Sequence, residues 1–228
     1  MIQMREVSKT YDTGVVALNH VNVDIKKGEF VFVVGPSGAG KSTFIKMLFR
    51  EELPTEGKLL VNGHDVVAMD RSEVPYLRRE LGVIFQDYRL LPDKTVFENV
   101  AFAMQVIEAP RRTMQRSVNS VLDVVGLRDK YRSFPSQLSG GEQQRVAIAR
   151  AIVNNPSIVI ADEPTGNLDP ETSWDIMDIF RRINKAGTTI VMATHDRNIV
   201  DTMKKRVIAI EDGRIVRDQQ RGGYGYEA

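Results

Sequence analysis

Residues 30–42 read FVFVVGPSGAGKS. The first five, Phe30–Val34, are an unbroken apolar run of strand length, the mark of a strand covered on both faces. A glycine-rich loop follows, and Lys41–Arg50 then has the apolar spacing of a helix. Gly35, Gly40, Lys41 and Ser42 fill every fixed position of the P-loop pattern. Glycines let the backbone come close to a polyphosphate and turn its N–H groups inward. The helix behind them offers its N-terminus and positive dipole end to the anion. Gly35, Ser37, Gly38, Ala39, Gly40, Lys41, Ser42 and Thr43 are therefore the candidate nucleotide-binding set. Lys41 is expected to reach the β- and γ-phosphates, and Ser42 to give a hydroxyl to Mg²⁺. The plain alternative is a chance glycine-rich turn, and the strand before it and the helix after it argue against that.

Two further stretches point the same way. Ile158–Ala161 is another buried-strand pattern, and it ends in Asp162-Glu163. A carboxylate at such an exit can hold Mg²⁺, often through water, which makes Asp162 a candidate metal residue beside Ser42. Glu163 is placed to polarise an attacking water. Leu138-Ser139-Gly140-Gly141-Glu142 precedes Gln143-Gln144-Arg145, and Ser139 and Glu142 have capping-box spacing. A Ser-Gly-Gly helix start is also an anion site. The chain thus holds two phosphate-seeking helix starts.

Around these motifs the pattern alternates. Met4–Val7, Val16–Ile25 and Lys58–Val61 read as strands, the last running into the turn Asn62-Gly63. Helical spacing dominates from about Leu90 to Val153, with candidates at Phe97–Val106, Arg112–Val125 and Glu142–Val153. A helix over Glu171–Asn184, a buried strand over Thr189–Ala193, a short helix over Arg197–Met203 and a hairpin about Asp212-Gly213 complete the pattern. Buried strands alternating with helices predict a parallel α/β sheet with an inserted helical block. The tail RGGYGYEA is read as mobile.

Composition bounds the function. The chain has 228 residues, 42% of them hydrophobic, so a sizeable core is expected. Lys and Arg number 31 against 30 Asp and Glu, a net charge of +1, which argues against a broad nucleic-acid surface. The absence of cysteine excludes disulfides, thiolate metal sites and cysteine nucleophiles. No apolar run approaches the ~20 residues of a membrane span, and the N-terminus has no signal-peptide pattern. A membrane role would have to come through a partner.

LSGGEQQR at 138–145, with the P-loop upstream and IVIADEP at 158–164 downstream, resembles the nucleotide-binding domain of ABC ATPases. The likeness runs from about Met4 to Arg217. It implies an α/β P-loop NTPase fold with a RecA-like parallel-sheet core, an antiparallel β subdomain and an inserted α-helical subdomain. The expected division is core and β subdomain at 1–86 and 156–217, helical subdomain at 87–155 and mobile tail at 218–228. Tyr11 then sits where the family stacks the adenine, and Gln86 matches the Q-loop glutamine, a catalytic and metal-contacting position. Gly166–Asp169 matches the D-loop, and His195 the switch histidine. A lone early tyrosine, or a lone histidine after a strand, is ordinarily packing; only the resemblance raises Tyr11 and His195. It also implies a homodimer that closes on two ATP molecules. Lys41, Ser42, Gln86, Asp162, Glu163 and His195 come from one copy, and Ser139, Gly141 and Asp169 from the other.

Exclusions narrow the branch, and a resemblance points to one. Thr43 to Leu138 has no room for the coiled coil of DNA-repair members, and one ATPase domain excludes the translation type. FQDYRLLPDKTVFENVAFAMQVI at 85–107 resembles the family's bacterial cell-division branch of the Gram-positive kind. That implies an integral membrane partner, FtsX, at the cytoplasmic face of the plasma membrane at the division site. ATP-driven closure would act through FtsX on a peptidoglycan hydrolase outside. The expected docking groove lies between the core and the helical subdomain, just after Gln86, with Tyr88, Leu90, Leu91, Phe97 and Met104 as candidates; for each of them ordinary packing in the helical subdomain is the equal alternative. The alternative is the ATPase of an efflux or lipoprotein-release transporter.

Overall fold

The apolar run Phe30–Val34 forms strand β3, buried along its whole length. Before it come β1 (Ile2–Thr10) and β2 (Val16–Ile25). After it come α1 (Lys41–Leu48), β4 (Glu56–Val61), the short β5 (His64–Asp65), α2 (Val74–Arg79) and β6 (Leu81–Ile84). Three helices follow: α3 (Val96–Gln105), α4 (Arg111–Val124) and α5 (Gly140–Ile152). The chain then alternates through β7 (Ile158–Asp162), α6 (Pro170–Lys185), β8 (Thr189–Ala193) and α7 (Arg197–Met203). The hairpin β9 (Arg206–Glu211) and β10 (Arg214–Gln219) closes it. The structure, a computed structural model, describes residues 1–225.

The larger sheet has six strands in the order β10-β9-β3-β8-β7-β6. All neighbours are parallel except β9 and β10. The smaller sheet, β2-β1-β4-β5, is antiparallel. Side chains alternate across a strand, so β3 feeds two cores. Phe30, Phe32 and Val34 pack with α3 to α7 on one face. Val31 and Val33 pack with α1 and the antiparallel sheet on the other. Each strand leading to a motif ends at the same sheet edge, the carboxyl edge, where open parallel sheets bind their ligands.

Two elements escape the sequence reading. β5 is two residues long, and α2 is a six-residue helix with Pro75 in its first turn. The tail also departs from expectation. β10 runs to Gln219, and Gly222 N–H donates to the Lys205 carbonyl at 3.1 Å. The Arg217 guanidinium donates to the carbonyls of Gly223, Tyr224 and Gly225 at 2.8, 2.8 and 2.6 Å. Tyr224 N–H donates to Asp201, and the tyrosine packs on the helical core. Residues 218–225 are thus held in place, because Arg217 gives a glycine-rich segment the donors it lacks. Residues 226–228 of the expected mobile tail lie outside the described residues.

Candidate active site

The loop after β3 needs its glycines for stated reasons. Gly35 has φ +149°, and a Cβ there would lie 2.1 Å from the Ile210 carbonyl oxygen. Gly40 has φ +106°, and its Cβ would lie 2.2 Å from the Ala17 oxygen. Gly40 is also the N-cap of α1 and supplies no side-chain acceptor, so the leading N–H groups of the helix keep no side-chain cap. Such unclaimed donors are what an anion needs. Lys41 Nζ lies over the loop and donates to the carbonyls of Gly35 and Pro36 at 2.8 and 2.9 Å. Tyr11 meets this loop from β1: its hydroxyl is 3.1 Å from Thr43 Oγ1 on α1.

Asp162 ends β7 beside the P-loop. Partial burial pushes its carboxyl above the usual range, and the charge of Glu163 adds to that. Lys46, Lys41 and a hydrogen bond from Ser42 pull the other way. A hydroxyl and a desolvated carboxylate side by side form an oxygen donor pair that suits Mg²⁺. Gln86 follows β6 and lies against the loop at 166–169 instead. Its Nε2 donates to Asn167 Oδ1 at 3.4 Å, and Asn167 Nδ2 donates back to the Gln86 carbonyl at 3.3 Å.

Glu163 comes next, in a left-handed conformation at φ 49°. Its N–H donates to the Ala193 carbonyl at 3.0 Å, which locks it to the end of β8. Its Oε2 is 2.8 Å from His195 Nδ1 and also accepts from the His195 N–H at 3.2 Å. The carboxylate is mostly buried and the imidazole mostly exposed. A water activated by Glu163 would meet an imidazole already bonded to that base.

Ser139, Gly141 and Asp169 form a second group. Ser139 caps α5, accepting from Glu142 N–H at 3.2 Å, while Glu142 Oε2 accepts from Ser139 N–H at 2.8 Å. That backbone bond is the chief reason the Glu142 carboxyl lies below its usual range. Gly141 is buried against α6, where a Cβ would lie 2.3 Å from Thr172 Cγ2. Asp169 caps α6 through Thr172, whose side-chain and backbone bonds hold its carboxyl low. Beside them, a Cβ on Gly140 would lie 3.0 Å from the Tyr88 hydroxyl and 3.5 Å from Leu168 Cδ2.

Two residues outside the candidate site set tie these groups together. Gln144 on α5 is fully buried and donates to the Pro164 carbonyl at 2.7 Å, one residue after Glu163. Arg150 on α5 donates to the carbonyls of Tyr88 and Arg89. All three bonds end on backbone oxygens, which leave no trace in sequence spacing. Of the docking candidates, Met104 takes the packing alternative. Met104 is 4% exposed and packs in the helical core, as do parts of Leu90 and Phe97. None of the five candidates lines the groove beside β6, a cavity of about 480 Å³ walled by Pro75, Arg79, Phe85, Phe102, Val106 and Ile107 among others.

The family model for the ABC transporter matches residues 18–166, about two thirds of the chain. The chain belongs to the ABC transporter ATPase family. ABC ATPases among its relatives match it end to end. The "Cell division ATP-binding protein FtsE" of Bacillus subtilis is 63% identical over 225 residues, 99% of each chain. The protein of that name from Streptococcus pneumoniae is 60% identical over 227 residues, 100% of this chain and 99% of the relative. That of Escherichia coli is 46% identical, with both chains fully covered. Among solved ABC cassettes, the dimeric MJ0796 bound to ADP and Pi has a TM-score of 0.87 at 37% identity, covering 98% of this chain and 100% of that one. The cassette cbiO1 of Clostridium perfringens has a TM-score of 0.89 at 30% identity, covering 96% and 88%. The expected ATPase activity and ABC fold hold.

Proposed function

We propose that this ABC ATPase serves cell division as the ATP-driven subunit of a complex with an FtsX-type membrane protein. Its match to FtsE proteins over the whole chain carries that reading. In the proposed mechanism Tyr11 supports the adenine, and the loop 35–43 with Lys41 holds the phosphates. Ser42 and Asp162 would hold Mg²⁺, with Gln86 brought to it on closure; the ion would neutralise charge on the β- and γ-phosphate oxygens. Glu163 takes the proton of the attacking water, and His195, bonded to it, faces the γ-phosphate. Ser139, Gly141 and Asp169 of a second copy complete the site, so that ATP joins two chains and ADP releases them.

No helix among the described residues is long and apolar enough to cross a membrane. A membrane partner must therefore dock, and the groove beside β6 is the proposed place. Phe102, Val106 and Ile107 are exposed on it, and Arg78, Arg79 and Arg150 line it, with no carboxylate on that wall among the described residues. That chemistry suits a short amphipathic helix of the partner carrying a carboxylate. The complex would sit at the cytoplasmic face of the plasma membrane and control a peptidoglycan hydrolase outside. Co-purification of the tagged chain from membranes tests this. An FtsX-type protein should be retained and then lost with Phe102→Asp or Val106→Asp. Recovery of an efflux or lipoprotein-release permease instead would overturn it.

A further inference from the structure

We propose that Arg150 is a positioning residue that fixes the loop carrying Gln86 to the signature helix α5. The loop leaves β6 at Phe85, and two consecutive non-glycine residues after Gln86 are left-handed: Tyr88 at φ 57° and Arg89 at φ 46°. Side chains rarely adopt that conformation, and it persists where the surroundings over-determine it. Arg150 does so. Its planar fork donates through Nη1 to the Arg89 carbonyl at 2.6 Å and through Nη2 to the Tyr88 carbonyl at 2.8 Å. The guanidinium is largely desolvated, which pulls its pKa down, and its hydrogen bonds end on two backbone carbonyls. Its charge is satisfied by the two oxygens of the strained turn.

The loop is braced within itself and meets α5 at one further point. Arg89 stacks on Phe85 with its guanidinium 3.6 Å from the ring centroid. The Tyr88 hydroxyl lies against Gly140, at the start of the same helix. Loop and helix thus move as one body, and Arg150 also lines the proposed docking groove. Whatever enters the groove meets the residue that sets both Gln86 and the Ser139 helix start. This rests on the reading of Gln86 as a group that serves metal and γ-phosphate.

The test is a double-mutant cycle in the full-length chain with Arg150→Met, Gln86→Ala and their combination. Mg-ATP turnover, affinity for a fluorescent ATP analogue and thermal melting are followed. Arg150→Met should lower turnover about ten- to a hundredfold and keep analogue affinity within about twofold, because the P-loop is untouched. Added to Gln86→Ala it should lower turnover no further, since it acts through the same group. Arg150→Lys keeps the charge but cannot bridge both carbonyls, and should fall between. If Arg150→Met fails to fold, Arg150→Lys replaces it in the cycle with the same criterion. Losses that multiply, or unchanged turnover in the Arg150 variant, would overturn the proposal while leaving the Gln86 reading intact. Unchanged turnover in Gln86→Ala alone would overturn the premise and the proposal together.

Discussion

Glu163 is held in a left-handed conformation between two strand ends, with its carboxylate on His195. Strain of this kind gathers where geometry must be fixed for function. Replacing it by Gln keeps the shape and removes the base. Turnover should fall by about 10²–10⁴ with nucleotide affinity preserved, as single-turnover kinetics and a binding titration will show. Its neighbour Asp162 makes the opposite bargain. Its carboxyl is raised in the folded state, chiefly by burial. An unfolded aspartate ionises first as pH rises through its ordinary pKa of 3.8, so the folded state binds more protons above that point and loses stability until its own raised pKa is passed. Asp162→Asn should therefore raise the melting temperature of the nucleotide-free protein at pH 7, and flatten its fall with pH above 3.8, while abolishing turnover. A lower melting point would refute the desolvation argument. Lys41, Asp162 and Glu163 were legible because motif and strand exit coincide. Met104 is open to both readings in sequence because residues 96–106 are apolar on two faces: Val96, Val100 and Met104 point inward, Phe102 and Val106 outward. Spacing alone could not say which face meets the core.

At the scale of elements, Ser139 does two jobs. Its capping box holds the start of α5, and the same hydroxyl is proposed to meet ATP of a second copy. Ser139→Ala should cost about 1 kcal/mol of stability, a melting shift of roughly 2–4 °C for a chain this size, with or without nucleotide. Loss of ATP-dependent association should come on top. A calorimetric scan separates the two effects, and an unchanged melting point would refute the cap. The capping box, the buried strands and the hairpin were readable because each obeys a local rule. β1 was read as Met4–Val7 only. Its register slips between Met4 and Val7, again between Val7 and Lys9, and at Thr10, and these bulges break the alternation that marks a strand. α2 was missed because six residues with a proline in the first turn offer too little periodicity.

In the whole molecule, the two sheets are joined by a charged clamp. Arg206 is 7% exposed, donates to both Asp218 oxygens, to Glu29 and to the Asp24 carbonyl, and so ties β9 to β10 and to the end of β2. Arg206→Met leaves two carboxylates without their cation. Both are partly exposed and can rehydrate, so the cost should be about 2 kcal/mol, below the ~3–5 of fully buried pairs, measured by urea unfolding. A change within about 0.5 kcal/mol, the usual range of a neutral surface substitution, would refute the clamp. Long-range ties of this kind, like those of Arg150 and Gln144, join residues far apart in sequence and had no local signature. The central claim also concerns a scale larger than the chain: each nucleotide site needs the Ser139 helix start of a second copy. Light scattering behind gel filtration of Glu163→Gln with Mg-ATP tests it most directly. The account predicts a dimer with Mg-ATP and a monomer with Mg-ADP, and the dimer lost when Ser139→Ala is added. A variant that binds Mg-ATP and stays monomeric would contradict it.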